Sequence, residues 1–556
     1  VDDKTKDLLT HGDHLFERRM SLLSLWQEIA EQFYPERADY TVCRSLGHEF
    51  ADHLSTSYPL MVRRDLGNTF SSMLRPTGRP WFAIRTNRPE TEDNQASRWL
   101  EWASGTMRRA MYDRDAQFIR ATKEGDHDFA AFGQCVLSVE LDRRTMTLLY
   151  RCWHLRDVAW AEGYNGAIDT VHRKWKPTIR DQVNTFRDKP RAKLHSRVTE
   201  LLDKEPYRQT EYRHIVMPAR DWYGSDKVRQ PWVGIYLDVE NQHVVEETPM
   251  WNRYYIVPRW LTVSGYQYAH SPATVIALPE ARTLQAISLT LLEAGEKAAN
   301  PPLIATQNAV RSDVSLFAGG ITWVSEEYDE RLGEVLRPVS QNYQGLPLGM
   351  EMADRAKDML AQAFFLNKIS LPPMQGEMTA TEVMQRVQQY VREALPLFEP
   401  LETEYNGAIC EETFDILVRG GAFGPPDDMP PQLRGADVQF QFENPLQQTE
   451  DSLKGQQFAE AKQMLALAVD LDPGAANMLR TRDALRDAWK GRGIPSIWIA
   501  SEEEVAEKDE EAQAEAEAQK MMGMMGQGAA VAEQLGKAGQ SLVGMQQGVT
   551  GAEGAG

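Results

Sequence analysis

A helix that the sequence draws over residues 379–418, with Pro396 and Pro400 in its middle, restricts the fold more than anything else in the chain. Thr379 followed by Glu382 makes a capping box, and Val383, Val387, Tyr390, Val391 and Ala394 recur at helical spacing. Unbroken, it would run about 40 residues and roughly 60 Å. Each interior proline would cost around 3 kcal/mol in a straight helix, so a kink is expected. Ahead of it, residues 350–366 place Met352, Ala356, Met359 and Ala363 on one stripe of an earlier helix. Residues 367–377, with Pro372 and Pro373 side by side, read as a loop between the two. A helix of this length without a sustained heptad is no simple coiled coil. It fits either a large helical core or one subunit of a big assembly, with the preceding loop aimed at something.

At 556 residues the chain exceeds one hydrophobic core and predicts three or four domains. Hydrophobic residues at 42% and charged residues at 26% describe ordinary folded protein for most of its length. Lys and Arg total 61 against 81 Asp and Glu, a formal charge of −20, which argues against a groove binder that works by neutralising phosphates. A polyanion that must slide past is better served by weak contacts, so net acidity suits a conduit more than a clamp. Cys43, Cys135, Cys152 and Cys410 are scattered with no Cys-x-x-Cys pair, which implies a reduced intracellular protein without a disulfide frame. No basic-then-apolar leader opens the sequence and no stretch of 18 apolar residues occurs, so neither secretion nor a membrane span is expected.

In order, residues 5–34 carry Leu15, Leu22, Leu23, Trp26, Ile29 and Phe33 at helical spacing up to Pro35, predicting one amphipathic helix. Further helices are expected over 50–73 and 90–111, the latter packing Trp99, Trp102, Met107 and Met111. The period then turns to two, predicting strands over 136–141, 145–154, 158–162 and 167–175. A charged helix over 178–204 follows, then strands over 212–218, 232–237, 243–247 and 254–258. Residues 1–265 thus read as one α+β domain. Ser271 caps a helix with Pro272 at its first position, Pro279 restarts it, and Asn300, Pro301 and Pro302 stop it. Strand signals at 303–306 and 321–325 mark a small β-rich insert, and a strand over 438–443 precedes helices near 448–468 and 474–490. Residues 502–520 hold nine acidic residues against two lysines, a solvated helix or a tail. The last 36 residues, with ten glycines and no aromatic, cannot fold alone.

Chemistry is hard to find. No phosphate-binding glycine loop, Gly-x-Ser-x-Gly elbow or His-Glu-x-x-His helix is present, so neither a nucleotide-driven motor nor an enzyme is expected. Asp126, His127 and Asp128 cannot all face one ion from a helix and read as a solvated helix turn. Cys152 and His154 fall on the same face of a strand, as two zinc ligands would, but with no second pair nearby they read as packing beneath the sheet. No metal and no cofactor is expected.

The element order, together with Thr379-Ala380-Thr381-Glu382-Val383 opening the long helix, the stretch 265–272, the helix start at Leu278-Pro279 and the helix ending near Tyr34-Pro35, resembles the phage portal proteins. These are the head-to-tail connectors of short-tailed phages, the podovirus type. The resemblance covers nearly the whole chain. It implies an α+β, mostly helical portal fold: a wing at 1–265, stem helices at 266–300 and 347–366, a clip at 301–346, a tunnel loop at 367–378, a long kinked wing helix at 379–424, a crown at 425–500, and a C-terminal barrel or tail at 501–556. It further implies a non-enzymatic ring of twelve subunits in the virion at a capsid vertex, assembled in the host cytoplasm, through which double-stranded DNA is packaged and ejected. Packaging terminase and tail adaptor would dock at the clip and the major capsid protein at the wing, with no membrane involved. By the same likeness Lys368, Leu371, Pro372, Pro373, Met374 and the Gln375-Gly376 pair would face the DNA, and Arg355 and Lys357 would line the stem channel or pair with a neighbouring stem. Lys368 is the loop's one cation, and could equally be solvated or cap the preceding helix. Two other classes stand beside this reading: a ring or scaffold that never meets DNA, and a hydrolase whose site the sequence hides.

Overall fold

A computed structural model of the chain describes residues 3–45, 47, 51–87, 94–142, 144–187, 189–224, 229–299, 302–305, 336–338, 346–369 and 399–442, and in the C-terminal part 460–465, 484–486, 489, 494, 496–500, 504–515 and 517. The chain divides into a larger unit, residues 1–83, 103–425 and 440–447, and a smaller one, residues 84–102, 426–439 and 448–556.

The larger unit opens with α1 (Asp3–Arg18) and α2 (Met20–Phe33), followed by α3 (Tyr58–Leu74). Where one helix is expected over 5–34 there are two, because Arg19 leaves the helical path to bond elsewhere. It is 2% exposed. Its Nη1 donates to the carbonyls of Leu155 (2.6 Å) and Val158 (2.8 Å) and its Nη2 to that of Arg156. One guanidinium thus satisfies three backbone acceptors at the edge of a sheet, and the break lets α1 lie on the sheet while α2 turns into the helical layer.

After β1 (Phe82–Thr86) and α4 (Asn94–Met111) comes α5 (Phe118–Phe132), of which the sequence predicts only a helical turn at 126–128. On α4, Met107 and Met111 are buried as expected, whereas Trp102 is 47% exposed. Helix α5 is the axle of the unit. Gly125, Asp126, Asp128 and the run Phe129–Ala130–Ala131–Phe132 are all buried on it. Gly133 ends it at φ +73°, its N–H donating to the Phe129 carbonyl (2.8 Å), and a Cβ there would collide with the backbone of His270 and Ser271. Only glycine meets both demands.

Strands β2 (Val136–Asp142) and β3 (Thr147–Trp153) pair antiparallel with Val136 opposite Trp153, and β9 (Tyr255–Ile256) adds to the other side of β2. A five-stranded antiparallel sheet runs β4 (Val158–Glu162), β5 (Ile168–Trp175), β6 (Tyr212–Pro218), β7 (Trp232–Asp238), β8 (His243–Met250) in that spatial order. These strands follow the expected spans closely, since buried Val216, Val233, Ile235 and Leu237 alternate or cluster as a half-covered sheet requires. The charged helix expected over 178–204 is two short ones, α6 (Ile179–Phe186), capped by Thr178, and α7 (Ser196–Lys204). Helix α8 (Ala219–Tyr223) joins β6 to β7.

In the smaller unit, the Asn87 amide donates to the Asp437 carbonyl (3.2 Å), and Asn94 and Arg98 both donate to the carbonyl of Ile499. Residues 504–515 are helical, within the acidic stretch. The remaining helices expected near 448–468 and 474–490 lie largely outside the described residues, as does the whole stretch from 518 onward.

Candidate channel elements and their anchors

Two helices and the start of the segment that follows the second carry the functional expectations. Helix α9 (Pro272–Ala299) is continuous, with Pro279 inside it rather than restarting it. Pro279 removes the N–H that would bond the Val275 carbonyl, but Val275 is half exposed, so water can take that acceptor. An 18-residue window of α9 reaches a mean hydropathy of 1.2, enough by length and composition alone to cross a membrane, which a search for uninterrupted apolar runs misses. Beyond it, β10 (Leu303–Ala305) pairs antiparallel with β11 (Leu336–Pro338), not with the strand expected at 321–325, which lies outside the described residues.

Helix α10 (Leu346–Ala363) packs on α9, and Gly349 near its start approaches Leu291 so closely that a Cβ would sit 3.0 Å from its Cδ2. The buried row on α10 is Ala353, Ala356, Leu360 and Ala363. This corrects the expected stripe: Ala356 and Ala363 are inside, but Met352 (50%) and Met359 are exposed. Small residues let two helix backbones approach, so the alanines take the contact and the methionines are turned outward. Arg355 is exposed on the same helix, and Lys357 donates to Asp354 Oδ1 (2.9 Å), an exposed pair one turn apart.

Helix α10 ends sooner than expected. Phe365 sits at φ +59°, a left-handed conformation that costs a bulky residue energy, and a short helix α11 (Leu366–Ile369) follows. What holds Phe365 there is its ring, 6.2 Å from that of Trp260, while Phe364 is fully buried against Phe33 at 5.4 Å. Lys368 therefore belongs to α11 and not to a loop. Leu371, Pro372, Pro373, Met374, Gln375 and Gly376 lie outside the described residues, as do the capping box at Thr379 and Pro396.

On the far side of that stretch, Leu401–Gly407 is a π-helix that runs into α12 (Ala408–Arg419). Tyr405 is fully buried, stacked on Phe129 (5.7 Å), which stacks on Trp260 (5.4 Å). One aromatic column, Phe365–Trp260–Phe129–Tyr405, thus anchors both flanks of residues 366–400.

The Asp126–His127–Asp128 triplet, expected as a solvated helix turn, is helical but is an inside feature. Asp126 is bonded by Arg75, His127 by Arg63 (3.0 Å) and Asp128 by Arg37 in a bidentate pair at 3.0 and 2.7 Å. Three arginines, one from the turn after α2 and two from α3 and its C-terminal cap, converge on one helical turn. Burial, and then the Arg63 charge, press His127 down to about 4. No spacing in the sequence announces these pairs. Cys152 Sγ lies 3.9 Å from Asp128 Oδ2, whereas the His154 Nε2 meets Asp39 at 2.6 Å and its Nδ1 accepts from the Arg156 amide, so each is engaged locally. Among the described residues no group of three or more His, Cys, Asp and Glu side chains could hold a metal ion.

The sequence profile of the family described as bacteriophage head to tail connecting protein matches residues 5–499. The chain belongs to that family. Relatives of the connector include the probable portal protein of Bordetella phage BPP-1, 24% identical over 81% of this chain and 80% of its own, and the portal protein of Salmonella phage epsilon15, 22% identical over 84% of each. Among solved structures, a chain in the virion of a native gene transfer agent particle overlaps 76% of this chain and 87% of its own at 11% identity and a TM-score of 0.36. One in the neck of an empty particle of that kind, computed with C6 symmetry, overlaps 73% and 86% at 10% and 0.37. The protein is accordingly a phage head-to-tail connector, a structural component of the head–tail junction, with an α+β, mostly helical fold.

Proposed function

We propose that this connector is the portal subunit of a short-tailed phage, that copies of it close into a ring of twelve, and that double-stranded DNA passes along the ring axis during packaging and ejection. Support comes from the outward faces of α9 and α10. Val275, Ile276, Leu289 and Leu292 on the first, and Leu348, Met350, Met352 and Met359 on the second, are exposed in the single chain. Apolar rows of this size on paired helices are faces meant for covering, and in a ring each subunit would cover its neighbour through two different surfaces. The proposed wing, stem, clip and crown keep the bounds given above, with terminase and tail adaptor at the clip and the capsid protein at the wing. A formal charge of −20 per copy makes such a ring strongly anionic, screened beyond about 8 Å at physiological salt, which favours passage of DNA over retention.

Replacing Leu292 by Asp would place a charge in the covered face, and native mass spectrometry should then show a shift from a closed ring to smaller species. A wild-type chain that stays monomeric at high concentration would refute the ring. Lys368, in α11 at the head of the segment, and Leu371, Pro372, Pro373, Met374, Gln375 and Gly376 after it are assigned to the DNA-facing stretch, and Arg355 and Lys357 to the stem. Lys368→Glu is expected to impair DNA retention in filled heads while the ring still assembles. Packaging and retention equal to wild type would remove Lys368 from the channel.

A further inference from the structure

The helix that reaches Arg419 changes its winding partway: residues 399–400 and Ala408–Arg419 are α-helical, and Leu401–Gly407 between them is π-helical. A π turn takes up one residue more than an α turn would, and is an uncommon state to hold for seven residues. Polar side chains face inward here. Asn406 is 1% exposed, and its Oδ1 accepts from Arg75 Nη1 at 2.6 Å. Arg75 also bonds Asp126, and its guanidinium lies 4.7 Å over the Tyr405 ring. The Tyr405 hydroxyl donates to the Thr122 carbonyl at 3.3 Å, and a Cβ on Gly125 would stand 2.6 Å from that hydroxyl.

This cluster is crowded yet incompletely satisfied. Arg75 Nε, Asn406 Nδ2 and Asp126 Oδ2 are buried with no hydrogen-bond partner among the described residues. Two donors and an acceptor left short in one place, beside a helix wound against its preference, describe an arrangement with a near competitor. We propose that residues 401–407 form a two-state register element, with Arg75 as the latch that selects the π state through Asn406. When that bond opens, the segment rewinds as α-helix, and whatever precedes Leu401 turns by about one residue, roughly 100° and 1.5 Å along the axis. The aromatic column gives the slip a second readout. Tyr405 bears on Phe129, Phe129 on Trp260, and Trp260 on Phe365, so a move at one flank of residues 366–400 is felt at the other. None of this depends on a ring or on DNA.

Hydrogen exchange of the full-length chain, followed by mass spectrometry at pH 7.5, tests it. Asn406→Ala keeps the Arg75–Asp126 pair and removes only the latch contact. Exchange at amides 401–407 should quicken at least tenfold while α12 and strands β6 and β7 exchange as in wild type. Unchanged exchange at 401–407, or an equal rise throughout the unit, overturns the proposal. Deleting Thr403, which is exposed on the segment, removes the extra residue and should yield a folded chain whose residues 401–407 exchange as slowly as α12. If that chain fails to fold, or exchanges faster at 401–407, the π winding is an obligatory part of the core and there is no second state.

Discussion

Replacing Arg19 by Met is expected to cost about 3–5 kcal/mol of stability, since carbonyls left buried without a donor lose on the order of 1–3 kcal/mol each. The side chain spans from the junction of α1 and α2 to the 155–158 turn and bonds three acceptors there, of which the Leu155 carbonyl keeps a second donor in the Val158 amide. Methionine fills much of the same space beside Phe16, whose ring lies 4.8 Å under the guanidinium, so the loss reports the hydrogen bonds more than the volume. The α1–α2 break should also weaken, because without those bonds nothing draws residue 19 out of helical register. Urea unfolding of the purified chain would show a lower midpoint, and the α1 segment would become open to protease at lower urea than the rest. Arg18→Met, one residue earlier and exposed, is the control and should move the midpoint by no more than about 0.5 kcal/mol. A loss below about 1 kcal/mol for Arg19→Met would mean that water replaces the guanidinium without penalty.

The contrast between what was and was not legible in the sequence follows the same physics. Strands β4, β6 and β7 fall on their expected spans because each alternation is a local record of which face is covered. The break at Arg19 left no such record, since its partners lie more than 130 residues away and an arginine is acceptable inside a helix. The extent and the burial of helix α5 were missed for a related reason. Its sequence from Lys123 to Asp128 is charged and reads as surface, and only Arg37, Arg63 and Arg75 from distant elements make it fit for the interior. The stem stripe was half right: period 3.6 found the correct helix, but choosing between two adjacent rows needed the knowledge that α9 approaches closely, which favours alanine over methionine. Of the DNA-facing candidates, Arg355 and Lys357 are on the exposed surface of α10 and Lys368 is in α11, while the others lie outside the described residues. The anchors at Phe364, Phe365 and Tyr405 had a signal in the sequence only as aromatics flanking the loop.

Acid should loosen the docking of α1 on the five-stranded sheet, and His172 is the residue to watch. Its ring is fully buried beneath Gly12, where an added Cβ would stand 2.7 Å from Nδ1, and neither ring nitrogen has a hydrogen-bond partner among the described residues. Around it stand His11 of α1, with ring centroids 5.3 Å apart, and Arg213 of β6, which bonds Asp13 (2.5 Å) and the Leu9 carbonyl (3.1 Å) of α1. Burial first, then the neighbouring His11 and Arg213, hold His172 down to about 3 from an ordinary 6.5. A base whose folded value is depressed favours folding while neutral, so its contribution is whole above pH 6.5 and is lost as the pH falls from 6.5 toward 3. At pH 5 the loss from this one group is about 2 kcal/mol relative to pH 7.5. Two other histidines push the same way: His214, pressed well down by burial beside Arg173, and the half-buried His127. His172→Phe separates the first from the rest. With no hydrogen bond to lose, the variant should match wild type within about 1 kcal/mol at pH 7.5 and exceed it by about 2 kcal/mol at pH 5, so the two stability curves diverge on acidification. Parallel curves in urea titrations between pH 7.5 and 5 would show that His172 takes up its proton in place, through water reaching the α1–sheet junction, and that acid instability arises elsewhere.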